Sequence, residues 1–268
     1  MFSLRLAFLA ITVSSAIAGV IPLTDDCIKG VTFEGTPKGN IDTFTINGVA
    51  TYVAKAQHSS NPNRALLLLT DIFGLPLVNS KLMADDFAAN GFDTFIPDYL
   101  NGDPVPVDDP TFNMTAWLPN HTEAQTMPTL LAAIDGLKKE GFKEFLSTGY
   151  CFGGLYSTRL SQQNIVKVGT MAHPSLLTVP DDFETLLANS HVPIQMNSAE
   201  LDTAFSPAVQ AIADGILGDG KYRPGYDRPF FTGVGHGFAV RANLSNPIEK
   251  EAKEGAFFAA VKWLRAHD

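Results

Sequence analysis

A cysteine framed by glycines, in Gly149-Tyr150-Cys151-Phe152-Gly153-Gly154-Leu155, sets the tightest limit on how this chain can fold. The run before it, residues 144–148, is short and apolar enough for a buried strand, and the run after it, residues 155–163, reads as a helix. A strand can turn into a helix within so few residues only if bulky side chains are missing on both flanks. The residue at the apex is then pushed above the sheet, at the helix N-terminus. There the helix dipole and free backbone N–H groups favour a thiolate. The pattern G-x-C-x-G-G fits a G-x-S-x-G nucleophile elbow with sulfur in place of oxygen.

A nucleophile needs a base, and the base an orienting acid; on such a turn they follow in the order nucleophile, acid, histidine. After Cys151 comes a strand candidate at 192–197 and then Glu200-Leu201-Asp202. A second strand candidate, 228–232, leads into Gly235-His236-Gly237-Phe238. Asp202 and His236 each follow a strand, the end of an open α/β sheet where ligands bind. Glu200 competes with Asp202 for the acid's place, and Asp202 is preferred. Of the other histidines, His173 alone follows a strand candidate (166–172), so it either faces the site or is structural. In chemical terms the thiolate attacks, His236 moves the proton, and Asp202 fixes the imidazole tautomer. That chemistry needs no cofactor.

These residues resemble the dienelactone hydrolases (carboxymethylenebutenolidases), especially fungal members. The resemblance runs from about Gly30 to the C-terminus through Glu34-Gly-Thr-Pro-Lys-Gly39, Asp71-Ile-Phe-Gly74, Pro97-Asp98-Tyr99, the elbow, Ala199-Glu-Leu-Asp202 and Gly235-His-Gly-Phe238. It implies an α/β-hydrolase fold whose Cys151–His236–Asp202 triad opens an enol-lactone ring. It also implies an oxyanion hole from the backbone N–H groups of Ile72 and Phe152. Two positions depart from the bacterial pattern. Asp71 stands where those enzymes carry Glu. Of the two arginines that grip a substrate carboxylate, one has a counterpart only in Arg241, a residue out of register, and residues 101–121 contain no Arg or Lys for the other. A neutral ester or lactone therefore fits as well as an anionic dienelactone. Class I glutamine amidotransferases share the G-x-C-x-G turn, but Leu155 and Gly237-Phe238 stand where those enzymes want Gln and a His-x-Glu.

Around the elbow, strands and helices alternate in a way that predicts a mostly parallel sheet with helices on both faces, an α/β architecture spanning residues 19–268 as one domain. Residues 41–54 read as a hairpin about Asn47-Gly48, 65–70 as a central strand, and 81–90, 123–140, 207–217 and 247–265 as helices. Residues 101–121 carry four prolines and no periodicity. A structureless stretch of that length after a strand is expected to lie over the site as a lid, with Phe112 and Trp117 touching substrate.

The formal net charge of −9 disfavours nucleic acid and anionic membrane surfaces as partners and leaves a small-molecule ester or lactone. No histidines or cysteines are spaced as metal ligands, so no metal site is expected. Residues 1–18 read as a secretory leader: Arg5 in a short n-region, an apolar run over 6–13 and Ala16-Ile17-Ala18 as the cleavage signal. No later stretch is long and apolar enough to cross a bilayer. Sequons at Asn113, Asn120 and Asn243 are compatible with export and glycosylation. Only two cysteines are present, Cys27 and Cys151, and their positions suggest that they lie apart. Two other functions keep the same scaffold: a binding protein without turnover, and a thioesterase or carbon–carbon hydrolase. The leader makes a direct prediction. Mass spectrometry of the exported protein is expected to find Gly19 at its N-terminus.

Overall fold

The computed structural model describes residues 19–267 apart from Ser60, Asp108 and Pro110; the expected leader, residues 1–18, lies outside the described residues. The chain opens with a short strand β1 (Gly19–Val20) and a four-residue 3-10 turn, Asp25–Ile28. The expected hairpin follows as β2 (Asn40–Ile46) and β3 (Val49–Ala54). Its turn residues Asn47 and Gly48 have φ of 54° and 89°, the left-handed geometry that matches the twist of paired strands. Strand β4 (Arg64–Leu69) is buried at every position, which is why its sequence from Ala65 onward is a continuous apolar run.

Helix α1 (Val78–Ala89) begins three residues before its expected start, and β5 (Thr94–Pro97) follows. The segment 101–121 is more ordered than its composition suggests. It holds a short helix α2 (Met114–Trp117) and a 3-10 turn, Leu118–Asn120. The Asn113 side chain caps α2 by accepting from the Ala116 N–H at 3.0 Å, and Val105 N–H bonds the Ile72 carbonyl at 2.9 Å. Next come α3 (Glu123–Lys139), β6 (Glu144–Tyr150) and α4 (Phe152–Gln162). Strand β7 (Val168–Ala172) and the two-residue β8 (Thr178–Val179) lead to α5 (Asp181–Asn189), a helix with no counterpart in the sequence reading. The chain then runs through β9 (Ile194–Ala199), α6 (Pro207–Leu217), the short β10 (Tyr226–Asp227) and β11 (Phe230–Phe231), and α7 (Phe238–Arg241). It closes with α8 (Pro247–Ala266).

One sheet takes most strands in the order β10-β9-β7-β6-β4-β5-β3-β2, with β11 also on β9. Pairing is parallel from β10 to β5 and antiparallel where β3 meets β5 and β2. Helix α8 buries Ala252, Ala256 and Ala260 at a spacing of four residues. Small side chains on that face let it lie close against β7 and β9.

The turn between β6 and α4 is built on close backbone approach. A Cβ on Gly153 would stand 2.1 Å from the Leu69 carbonyl oxygen, and one on Gly154 would stand 2.6 Å from Pro174 Cβ. Gly215 in α6 has nothing within 4 Å of that position. The two sites should therefore respond oppositely to alanine. In denaturant titrations Gly153→Ala is expected to lose about 3 kcal/mol or more, whereas Gly215→Ala gains roughly 0.5–1 kcal/mol.

Candidate active site

Cys151 occupies the apex of that turn with φ 51° and ψ −112°. For a non-glycine residue this is a strained conformation, kept because the surroundings fix it. Its N–H bonds the Ala172 carbonyl at 3.2 Å, and its carbonyl accepts from the N–H groups of Gly154 and Ser175, both at 3.0 Å. The side chain is held above the C-terminal ends of β4, β6 and β7. No backbone carbonyl among the described residues takes the N–H of Ile72 or Phe152. Both residues are fully buried, Ile72 just past β4 and Phe152 just past Cys151.

Strand pairing explains how residues far apart in sequence meet here. β11 lies on β9 in parallel, with Phe230 beside Ser198 and Phe231 beside Ala199. The loops that follow the two strands are tied together by Leu201 N–H to the Val234 carbonyl, 2.9 Å, and by Gly233 N–H to the Glu200 carboxylate, 2.8 Å. Glu200 is thus an exposed loop anchor, and Asp202 turns inward. One Asp202 oxygen accepts from the N–H groups of Ala204 and Phe205 at 2.8 and 3.0 Å. Both oxygens lie at 3.0 and 3.1 Å from His236 Nδ1. With Nδ1 committed to Asp202, His236 Nε2 is the other donor atom, and it is buried without a hydrogen-bond partner.

Cys27 overturns one expectation. The two cysteines do not lie apart: the Sγ atoms of Cys27 and Cys151 and a ring nitrogen of His236 all fall within 4.8 Å of one another. Both cysteines are free and buried. Ser175 Oγ sits between them, 3.9 Å from Cys27 Sγ and 3.6 Å from Cys151 Sγ. The 3-10 turn that carries Cys27 roofs the site. Its entry is held by backbone bonds between Ile21 and residues 176 and 177, at 2.8 and 2.7 Å. Its flank is held by Thr203 Oγ1 donating to Asp26 at 2.8 Å, and its exit by Val31 N–H to the Arg241 carbonyl at 3.0 Å. Cys151 has no solvent exposure beneath it. The spacing argument against metal ligands falls with the same finding, because three soft donors gather from remote parts of the chain.

The proton inventory follows from these contacts. The hydrogen bond with Cys151, and His236 beside it, hold the Cys27 thiol down to about 4 against the effect of burial. Burial works against a charged His236, but the hydrogen bond with Asp202 and the Cys27 sulfur nearby outweigh it and push the ring up to about 9. Burial, then the hydrogen bond and charge of Cys27, push Cys151 well above the ordinary thiol range. These directions favour a thiolate on Cys27 beside the His236 imidazolium and a neutral thiol on Cys151. His173 is fully buried, with its ring 4.8 Å from that of His236 and neither nitrogen hydrogen-bonded. Burial, and then the charge of His236, drive its pKa well down, so it stays neutral.

Asp71 and Arg241 form a buried ion pair, Nε to Oδ2 at 2.9 Å, and Asp71 also accepts from the Phe73 N–H at 3.1 Å. Arg241 Nη1 donates to the Lys29 carbonyl, and Nη2 is its one nitrogen beside the site without a hydrogen bond or ion-pair partner. Trp117 is buried, not poised over an open cleft. Its Nε1 donates to the Asp103 carbonyl at 2.8 Å, its ring stacks on His121 at 3.8 Å, and it meets the Phe152 ring at 5.8 Å. Phe112 is partly buried and packs on the same core. Asn113, Asn120 and Asn243 are all exposed. Sequence reasoning missed Cys27 and Ser175. The presence of only two cysteines, and a serine two residues past His173, were the signals on offer.

The model of the dienelactone hydrolase family matches residues 49–268. The hydrolase pyvD of Aspergillus violaceofuscus is 35% identical over 92% of this chain and 98% of its own length. Dienlactone hydrolase 1 of Gibberella moniliformis is 34% identical over 89% of this chain and 91% of its own. Among solved structures, a putative dienelactone hydrolase from Klebsiella pneumoniae superposes with a TM-score of 0.66 at 14% identity, covering 80% of this chain and 92% of that one. The likeness in fold is to α/β hydrolases, as the sheet order and elbow indicate.

The pair of opposed pKa shifts has a consequence for stability. Cys27, depressed when folded, contributes above its unfolded value and loses that contribution as pH falls towards about 4. His236, raised when folded, contributes fully below its unfolded value near 6.5 and loses that as pH rises through about 9. Between those two values the slopes offset. The stability gap between wild type and Cys27→Ser is therefore expected to narrow on acidification from about pH 6.5 towards 4. Denaturant midpoints across that range check it, and a gap that widens in acid refutes the assignment.

Proposed function

Because the chain belongs to the dienelactone hydrolase family, and so is a hydrolase of carboxylic ester or lactone bonds, we propose that Cys151 is its nucleophile, His236 its proton carrier and Asp202 the group that orients His236. The contact of both Asp202 oxygens with His236 Nδ1, beside a cysteine held at the apex of the elbow, carries this reading.

In the closed site the Cys151 proton passes to the Cys27 thiolate, leaving the Cys151 thiolate beside the His236 imidazolium. A neutral Cys27 thiol then leaves with its turn as the roof lifts and substrate enters. The thiolate attacks the carbonyl carbon, and the oxyanion is held by the Ile72 and Phe152 N–H groups, each such donor contributing roughly 3 kcal/mol. Collapse breaks the carbon–oxygen bond, and the leaving alkoxide takes the His236 proton. In a lactone that alkoxide stays tethered as the ring opens. Neutral His236 next removes a proton from water, and the resulting hydroxide attacks the thioester. The acid product departs, the Cys151 thiolate is restored, and the returning Cys27 thiol gives its proton back.

The substrate proposed is a small neutral ester or lactone. Asp71 already cancels the charge of Arg241, and Nη2 alone is left to meet a ligand. Trp117 and His173 supply the neutral wall near Phe152 and His236. The leader and the exposed sequons support an extracellular glycoprotein.

Turnover of a neutral p-nitrophenyl ester is expected to fall by at least about 1,000-fold in Cys151→Ala and on the order of 100- to 10,000-fold in Asp202→Asn. Mass spectrometry should trap the acyl group on Cys151, and an anionic dienelactone should give the lower kcat/KM. Undiminished turnover in Cys151→Ala would sink the mechanism.

A further inference from the structure

We propose that Cys27, Cys151 and His236 form a binding site for a soft divalent cation, Zn2+ above all, with a fourth position left for water or another small ligand. The donor set is two thiol sulfurs and an imidazole nitrogen, all buried and within 4.8 Å of one another. Thiolate and imidazole are the ligands that Zn2+ selects, and two thiolates with one imidazole leave a fourth coordination position open. His236 Nε2 points to a ligand independently, as a buried nitrogen with no hydrogen-bond partner. Its ring is already set for the purpose. Nδ1 faces Asp202 at 3.0 Å, the carboxylate–histidine arrangement that fixes the tautomer and raises the basicity of a metal-ligating nitrogen.

Charge agrees with the geometry. Two thiolates and one divalent cation make a neutral cluster, which a buried site tolerates where a lone charge is costly. The nearby Arg241 does not oppose the cation, since Asp71 neutralises it at 2.9 Å. Ser175 Oγ, 3.6 and 3.9 Å from the two sulfurs, can donate to a coordinated thiolate. Tetrahedral Zn2+ needs its donors at roughly 2.0–2.3 Å. Cys151 is fixed by the elbow, and the adjustment falls to Cys27, on a four-residue turn near the start of the described chain. Binding loses one proton from Cys151 and one from His236, and no redox step is involved.

If Cys151 is the nucleophile, as proposed above, the bound cation holds both it and His236 and stops turnover. The cation site itself does not depend on that reading. The test uses the full mature protein kept reduced, with Co2+ as a spectroscopic probe and Zn2+ as its competitor. One equivalent of Co2+ is expected to produce a thiolate-to-cobalt charge-transfer band and the visible bands of tetrahedral cobalt, both removed by Zn2+. Asp202→Asn should weaken binding about 10- to 100-fold, and Cys27→Ser by at least about 100-fold. Absence of the charge-transfer band in the wild type overturns the site, and so does a band unchanged in both variants. The wild-type spectrum decides even if Cys27→Ser fails to fold. Zn2+ should abolish ester turnover at the same stoichiometry. Tight binding with turnover intact would uphold the cation site and refute Cys151 as nucleophile.

Discussion

Everything at the site rests on one close contact between backbones. Gly153 approaches the carbonyl of Leu69 to a distance that no side chain tolerates, and this brings the first turn of α4 down onto the end of β4. The approach forces Cys151 into its left-handed conformation and lifts its sulfur clear of the sheet. Loosening that contact would shift the sulfur's position and the helix N-terminus together. The strain at Cys151 is one local cost of the arrangement, held in place by the neighbouring strands.

Much of this was legible in the sequence for a physical reason. Parallel strands covered on both faces favour apolar side chains, so β4 announces itself as a run of leucines, while β6 and β9 show enough apolar residues around their buried Ser147, Thr148, Gln195 and Asn197 to be placed, and the loops just past the strands are where ligands bind. Asp202 and His236 could be named from that alone. That they meet was expected from their order, but the means was not legible, because it is the pairing of the two-residue β11 with β9, which no period in the sequence shows. Cys27 was illegible for a related reason. Its turn carries no alternation, and its contacts, with Ser175, Thr203 and Arg241, all reach across most of the chain. The family model begins at residue 49 and so does not reach it. Residues 101–121 misled in the other direction. Prolines suppress periodicity, yet a capped turn of helix and a buried tryptophan still give the segment a fixed shape.

Electrostatically the site is a set of nested pairs. Asp71 answers Arg241, Asp202 answers His236, and Cys27 answers His236 from the other side. Each buried charge has a partner, as burial demands. The Cys151 sulfur is pushed towards its neutral form by burial and by Cys27 next to it.

The roof over Cys151 bears on how rate would depend on chemistry. Polar ties to Leu176, Leu177, Thr203 and Arg241 hold residues 21–31 down. Lifting them is work that is the same for every ester. Where that step is the slowest, activated and unactivated esters turn over alike, and a plot of log kcat against leaving-group pKa is flat. Selectivity between substrates then shows in KM and in what fits under the raised turn, and reactivity of the bond being cut drops out of the comparison.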